Sequence, residues 1–267
     1  MQSISGQTRA FGNSSGVLLP REWLNKKVVV TLSEPNEKEI LQDVIEILYD
    51  HEILRDVLGI YLVGSRARGE EEVTSESDID LLVITNNLNK TINKDNYQIN
   101  IVKNANILKS LKEKPFYYYP MIYEAKPLLN EEFLTLYKSL KIDIKSSFIK
   151  DTKKLLKQSK NIISLDKRLG SSKTGDVVAY SLILRLRGFY IINKLSKKQI
   201  WKREEFLNLV KKVTGNLKVY ERYLYSKKGD ERKENTISIK DAEKIINYLE
   251  KEFSKWENTK RGRGRKD

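Results

Sequence analysis

Cysteine is absent from all 267 residues of the chain. That excludes disulfide staples and every thiolate metal site. Histidine is nearly absent too. His51 is the single one, so a Ser-His or Cys-His catalytic pair is excluded unless His51 itself serves. With no Cys, His or carboxylate at ligand spacing around it, His51 reads as structural. No apolar run approaches the ~18 residues that a membrane span needs. The first residues lack the basic-then-apolar layout of a signal peptide, so a cytoplasmic location away from membranes is expected. There is no Walker-type Gly-Lys-Ser/Thr, no zinc motif and no Gly-x-Gly-x-x-Gly to bind nucleotide in the usual ways.

Charge is plentiful, and it is unevenly spread. The net +14 divides into +2 over residues 1–35, −6 over 36–140, +15 over 141–260 and +3 over the last seven. An acidic segment followed by a strongly basic one suits a carboxylate site beside a surface that attracts a polyanion.

The acidic segment contains the stretch on which the reading turns, GIYLVGSRARGEEEVTSESDIDLLVIT, from Gly59 to Thr85. An apolar run, Ile60 to Val63, ends in Gly64-Ser65, and a second, Leu81 to Ile84, follows Asp78-Ile79-Asp80. Short apolar runs bounded by Gly and polar clusters predict buried strands. Alternation along a strand sends Asp78 and Asp80 to one face and Ile79 to the other. Two neighbouring carboxylates repel unless a cation sits between them, and hard oxygen ligands suit Mg²⁺ held together with substrate phosphates. Gly64 allows close approach of the backbone to a phosphate. The Ser65 hydroxyl and the first free N–H groups of a following helix would face the same anion.

Gly64-Ser65-x-Ala67-Arg68-Gly69, an acidic spacer and Ser77-Asp78-Ile79-Asp80-Leu81 resemble the signature of the DNA polymerase β-like nucleotidyltransferase superfamily. Within it the layout is similar to the minimal nucleotidyltransferases, such as kanamycin nucleotidyltransferase and the nucleotidyltransferase antitoxins. The resemblance covers roughly Glu37 to Asn130. It implies Asp78 and Asp80 as metal-binding and catalytic residues, Mg²⁺ (or Mn²⁺) as cofactor, and an NTP bound through Gly64, Ser65 and Arg68. It further implies NMP transfer from an NTP to an acceptor hydroxyl; the signature does not choose among NTPs, of which ATP is taken as the favoured donor, nor among protein, RNA and small molecule as acceptor. The family's third carboxylate belongs on the next strand, which is best read as Tyr97–Lys103, and Asn100 stands at the matching position. An amide offers an oxygen but neither charge nor basicity; Asp95 and Glu124 are the alternatives. That departure opens a second reading, a nucleic-acid-binding regulatory or antitoxin-like protein with a weakened nucleotidyltransferase fold.

The rest of the chain divides around this core. Residues 1–35 offer short strands at Thr8–Phe11, Gly16–Leu19 and Val28–Leu32. GNSSGVLLPREWLNKKVVVTL resembles the swapped-hairpin DNA-binding modules of the AbrB type, implying a homodimer and DNA contact through residues 1–35. Residues 36–130 are expected to form the α/β nucleotidyltransferase core with a mixed sheet, beginning with a helix from Glu37 to Asp56. Asn86–Asn96 reads as a polar connection and Asn104–Lys114 as a helix. Five aromatics (Phe116, Tyr117, Tyr118, Tyr119 and Tyr123) precede the core's end and read as packing, with base stacking the alternative. Residues 131–258 are expected to form a basic all-α domain, with helices at Glu131–Ser164, Gly175–Leu195, Lys202–Val213, Leu217–Lys227 and Ser238–Trp256. Arg185 and Arg187 lie on the most apolar of these, where arginines are costly unless paired, so phosphate or acidic partners are expected. Residues 259–267 read as a disordered basic tail.

Overall fold

A computed structural model describes residues 4, 6, 8–30, 33–70, 77–227 and 237–263, with side chains as far as residue 258. The chain divides into two compact units, Met1–Glu34 and Pro35–Asp267.

In the first unit, β1 (Arg9–Phe11) pairs antiparallel with β2 (Ser14–Gly16) around Gly12-Asn13. Gly12 takes φ +57° there, as a tight two-residue hairpin requires. The second strand therefore begins two residues before the expected Gly16. The turn fixes the register Phe11↔Ser14 and Arg9↔Gly16, leaving Val17–Leu19 without a strand partner among the described residues. Val28–Val30 form no strand, and Thr31 and Leu32 lie outside the described residues. Val29 is 92% exposed and Leu24 72%; one hairpin has too little surface to bury them.

The second unit opens with α1 (Glu37–Asp50), started by a reciprocal cap in which Asn36 accepts from the Glu39 N–H and Glu39 accepts from the Asn36 N–H. The helix stops short of the expected Asp56; His51 is its exposed C-cap residue. Then come β3 (Val57–Leu62), α2 (Gly64–Arg68), β4 (Ile79–Thr85), β5 (Lys90–Lys94), β6 (Tyr97–Lys103), α3 (Asn104–Glu113), α4 (Tyr119–Glu124) and β7 (Lys126–Leu129). The five strands form one sheet in the order β5-β6-β4-β3-β7, with β4 and β6 parallel and the other pairs antiparallel. Two of these strands are absent from the sequence reading. β5 is an edge strand with only Ile92 buried, and β7 contains Pro127, which an edge tolerates because its N–H is not needed.

Alternation along the strands separates two layers. Ile60, Leu62, Ile79, Leu81, Val83, Ile99 and Ile101 pack on Ile40, Val44, Ile47 and Leu48 of α1. Tyr61, Val63, Leu82, Ile84 and Val102 face the other way, onto Ile107, Leu111, Ile122 and Leu134. Asp80 shares this second face with Leu82, two residues on.

The helical part follows as α5 (Glu131–Ser139), α6 (Ile144–Arg168), β8 (Lys173–Thr174), α7 (Asp176–Ser196), α8 (Arg203–Thr214), α9 (Lys218–Lys227), β9 (Ile237–Ser238) and α10 (Ile239–Arg263). The single helix expected over 131–164 is two, because Asp143 caps a new start by accepting from the Ser146 N–H. α10 runs to Arg263, into the segment read as a tail; residues 264–267 lie outside the described residues. α7 is buried on nearly all sides and forms the centre of a core with α6, α8 and α10. Phe116 of the aromatic cluster packs on Phe148 of α6 with ring centroids 5.0 Å apart, and Tyr119 and Tyr123 lie against the same core. Among the described residues no helix is long and apolar enough to cross a membrane.

Candidate active site

The turn between β3 and α2 carries the site. Gly64 has φ +76°, a conformation that favours glycine, and a Cβ placed there would lie 2.1 Å from Asp80 Oδ2. The Val63 N–H donates to the Asp80 carbonyl at 2.9 Å, fixing the turn against the start of β4. No other residue type fits at Gly64 while Asp80 keeps its place. Gly69, with φ +65°, ends α2 after five residues.

Asp78 is exposed immediately before β4, and Asp80 is half-buried two residues later. Burial and then the neighbouring Asp78 push the Asp80 carboxyl above its ordinary range, with Arg68 and Lys227 pulling it back. Repulsion between neighbouring carboxylates accounts for the second of these causes. Gln98 of β6 lies in register with Asp80, and its side-chain amide donates to Asp78 Oδ2 at 3.1 Å. Asn100 pairs with Leu82 and so presents to the same face as Asp80.

Asp80, Gln98 and Asn100 line a cleft of about 530 Å³, together with Gly64, Ser65, Arg68, Glu124 and Arg187, while Asp78 lies at its edge through its bond from Gln98. Thr91 and Asn93, opposite Asn100 and Gln98 on the adjacent β5, complete a floor of neutral polar groups. Among the described residues no cluster of three Asp, Glu, His or Cys has the spacing of a metal site.

Glu124, at the end of α4, joins Asp80 as a carboxylate of the cleft wall and is only 9% exposed. It accepts from the Gly64 N–H at 2.9 Å and from Arg68 Nη1 at 2.7 Å. The Gly64 N–H, expected to face a phosphate, is therefore engaged by a side chain. Burial raises the Glu124 carboxyl, and Arg68, the Gly64 N–H and Arg187 oppose the rise. Arg68 also donates from Nε to Glu70 at 2.8 Å. Burial works against its charge, but the two carboxylates outweigh burial and hold the guanidinium more firmly protonated than usual.

Arg185 and Arg187, read together from the sequence, part company in the structure. Residues i and i+2 point about 200° apart around a helix axis. Arg187 lines the cleft. Arg185 faces Asp151 and Tyr117 instead, its charge opposed by burial and partly restored by Asp151. Its Nε is buried without a hydrogen-bond partner. Asp95 sits in the turn between β5 and β6 with φ +54°, and is not part of the cleft wall. Sequence reasoning missed Gln98, Thr91, Asn93 and Glu70. The β5 pair carries no apolar alternation by which to find it, and Glu70 is one of a run of acidic residues.

Residues 38–151 match the family described as "Nucleotidyltransferase domain". Among solved structures, a nucleotidyltransferase-like protein from Exiguobacterium sibiricum 255-15 is 13% identical with a TM-score of 0.37, over 81% of this chain and 75% of that one. A spectinomycin adenyltransferase from Enterococcus faecialis, solved with ATP and spectinomycin, is 18% identical with a TM-score of 0.39, over 82% of this chain and 100% of that one. No curated protein matches the chain. Over residues 38–151, then, the chain is similar to nucleotidyltransferase domains, and the matched segment includes the Gly64 turn packed against Asp80.

Proposed function

We propose that this protein transfers NMP from an NTP, with ATP the favoured donor, to the hydroxyl of an acceptor. The observation that carries the reading is the contact between Gly64 and Asp80, which leaves backbone, hydroxyl and carboxylates converging on one cleft. Asp78 and Asp80 fit a hard divalent cation: they are neighbouring carboxylates, and the buried one is held above its ordinary range partly by the other. They would hold Mg²⁺ or Mn²⁺, which when bound offsets the charge of the phosphates. The Ser65 hydroxyl and Arg187 are the groups left to bind phosphate, because the Gly64 N–H and Arg68 are engaged by Glu124. Arg68 fixes Glu124 rather than the donor.

In the transfer, the acceptor oxygen forms a bond to the α-phosphorus while the bond from that phosphorus to the bridging oxygen breaks. Pyrophosphate leaves with the electron pair, and the hydroxyl proton passes to Glu124, whose raised carboxyl suits it to accept one. The protein's contribution is positioning and charge neutralisation. The test is pyrophosphate release with each NTP, Mg²⁺ and cell extract. Release lost in both Asp78→Asn and Asp80→Asn supports the assignment, and unchanged release in both overturns it.

One observation favours a second reading. β6 presents Gln98 and Asn100 to the site where the family resemblance calls for a carboxylate. A protein that binds NTP tightly but releases no pyrophosphate would be the regulatory or antitoxin-like binder. In either reading residues 1–35 are proposed to dimerise and to contact DNA, supported by the apolar side chains that the hairpin leaves exposed.

A further inference from the structure

Two helices of the second unit keep apolar side chains in water. On α6, Leu155, Ile162, Leu165 and Leu169 follow one another at seven, three and four residues, the spacing of one helix face. Leu155 is partly buried and the other three are exposed, Leu169 to 76%. The core takes a different side of α6, through Thr152, Leu156, Ser159 and Ile163. α10 takes another, through Lys153, Lys160 and Lys167. On α1, Leu41, Ile45 and Tyr49 recur every four residues, beside the buried face of Ile40, Val44, Ile47 and Leu48. Ile45 is exposed, and Tyr49 is 72% exposed. Neither stripe covers the other within one chain.

The charges along the two stripes are opposite. α1 has five acidic side chains and one basic, whereas α6 has eight basic and two acidic. At about 100° per residue, Glu46 and Asp50 flank the α1 stripe on the side away from the core. Lys150, Lys154, Lys157 and Arg168 flank the α6 stripe in the same sense, and all four are exposed. Among the described residues none of these four has an ion pair. Asp50 contacts Lys94 at 3.6 Å, with both side chains about half exposed. Viewed from their N-termini, the two helices carry their charged flanks on opposite hands of their stripes. Laid face to face and parallel, they therefore bring acid against base along one side.

The parallel setting also has a stop. A hollow of about 650 Å³ lies at the C-terminal end of α1, lined by Tyr49, Asp50, Glu52, Leu54 and Arg55. With Leu165 set against Ile45, Leu169 arrives at Tyr49, since each lies four residues further on. The exposed leucine then enters the hollow, and Arg168 beside it meets Asp50 and Glu52, which outnumber Arg55. An acidic partner of another kind would cover α6 and leave the α1 stripe in water. A second copy covers both.

We propose that α6 of one copy docks in parallel on α1 of a second copy, with Leu169 in the hollow beside Tyr49. The pairing stands independently of the transfer reading. Each copy carries both surfaces, so a two-fold dimer makes the contact twice.

The chain has no cysteine, so single introduced cysteines report the contact directly. Full-length Tyr49→Cys and Leu169→Cys proteins are mixed in equal amounts with a short bismaleimide, and covalent dimers are measured by gel. The mixture should cross-link. Tyr49→Cys mixed with Leu136→Cys, at an exposed leucine of α5, should give only background. Residues 1–35 stay in place, and the cross-link reads this contact whatever they do. Leu165→Glu added to the Leu169→Cys protein should abolish the product. Glu46→Lys added to the Tyr49→Cys protein should cut the yield about tenfold by setting like charges together. Arg168→Glu in the Leu169→Cys partner should then restore it. Equal yields from the Leu169→Cys and Leu136→Cys mixtures overturn the proposal. A yield that Leu165→Glu leaves unchanged overturns it too, as does a loss with Glu46→Lys that Arg168→Glu fails to restore.

Discussion

At the scale of single residues, the site is a set of charges held where their own environment opposes them. Ionising Asp80 carries a cost, because burial and Asp78 raise its carboxyl. A carboxyl raised in the folded state contributes no penalty below its unfolded value of ~4, and the full penalty above its folded value. Without divalent cation, Asp80→Asn should therefore raise the melting temperature at pH 7, with the gain fading as the pH falls toward ~4. Thermal melts in EDTA at both pH values check this, and an equal gain at both would contradict the assigned cause. Asn100 poses the complementary case. It faces the Asp80 side of the sheet but brings no charge. Asn100→Asp should raise pyrophosphate release by about tenfold or more, the equivalent of ~1.4 kcal/mol of barrier. A brisk wild-type activity that this substitution reduces would mean that no carboxylate belongs at position 100 and would leave Glu124 as the proton acceptor proposed above.

Among the elements, the antiparallel contact of α6 and α10 shows which forces hold the helical part. Lys153, Lys160 and Lys167, each seven residues after the last, reach Glu257, Glu250 and Glu243 at 2.6 Å. All six side chains are close to half exposed, so each pair is worth no more than about 1 kcal/mol and salt weakens it further. Beneath them Phe253 is fully buried and in ring contact with Phe148 and Phe189. Lys160→Ala should thus lower unfolding stability by less than about 1 kcal/mol, and Phe253→Ala by about 3–5 kcal/mol. Urea unfolding measures both; a larger loss for the lysine would reverse the ranking of forces. The seven-residue spacing was visible in the sequence. Which helix answered it was not, since either partner lies outside any local window.

For the whole molecule, the apolar surface of the first unit carries the prediction. Leu18, Leu24, Val29 and Val30 are each more than half exposed. If residues 1–35 pair with a second copy, deleting residues 1–34 should halve the mass measured by light scattering and lower the affinity for duplex DNA. A truncated chain of unchanged oligomeric state would remove the dimer proposal. DNA affinity that persists with the same salt slope would assign DNA contact to the basic helical part instead.

Local order determined much of what could be read from the residues alone. Strand alternation placed Asp78 and Asp80, the apolar runs located β3, β4 and β6, and the sharp change from polar to apolar at Gly64 marked the turn. These features depend on neighbours a few residues apart, and periodicity reports them. Tertiary packing alone decided the rest. Glu124 meets Gly64 across 60 positions of sequence, and Arg68 comes to lie over Trp201 only because α7 and α8 fold back over α2. The rotation of α7 chose Arg187 over Arg185 for the cleft, a choice that two arginines in one apolar helix leave open. β5 gained its place from backbone pairing with β6, which asks little of side-chain type at a sheet edge. Spacing fixes which side of an element a residue occupies; only packing fixes what that side meets.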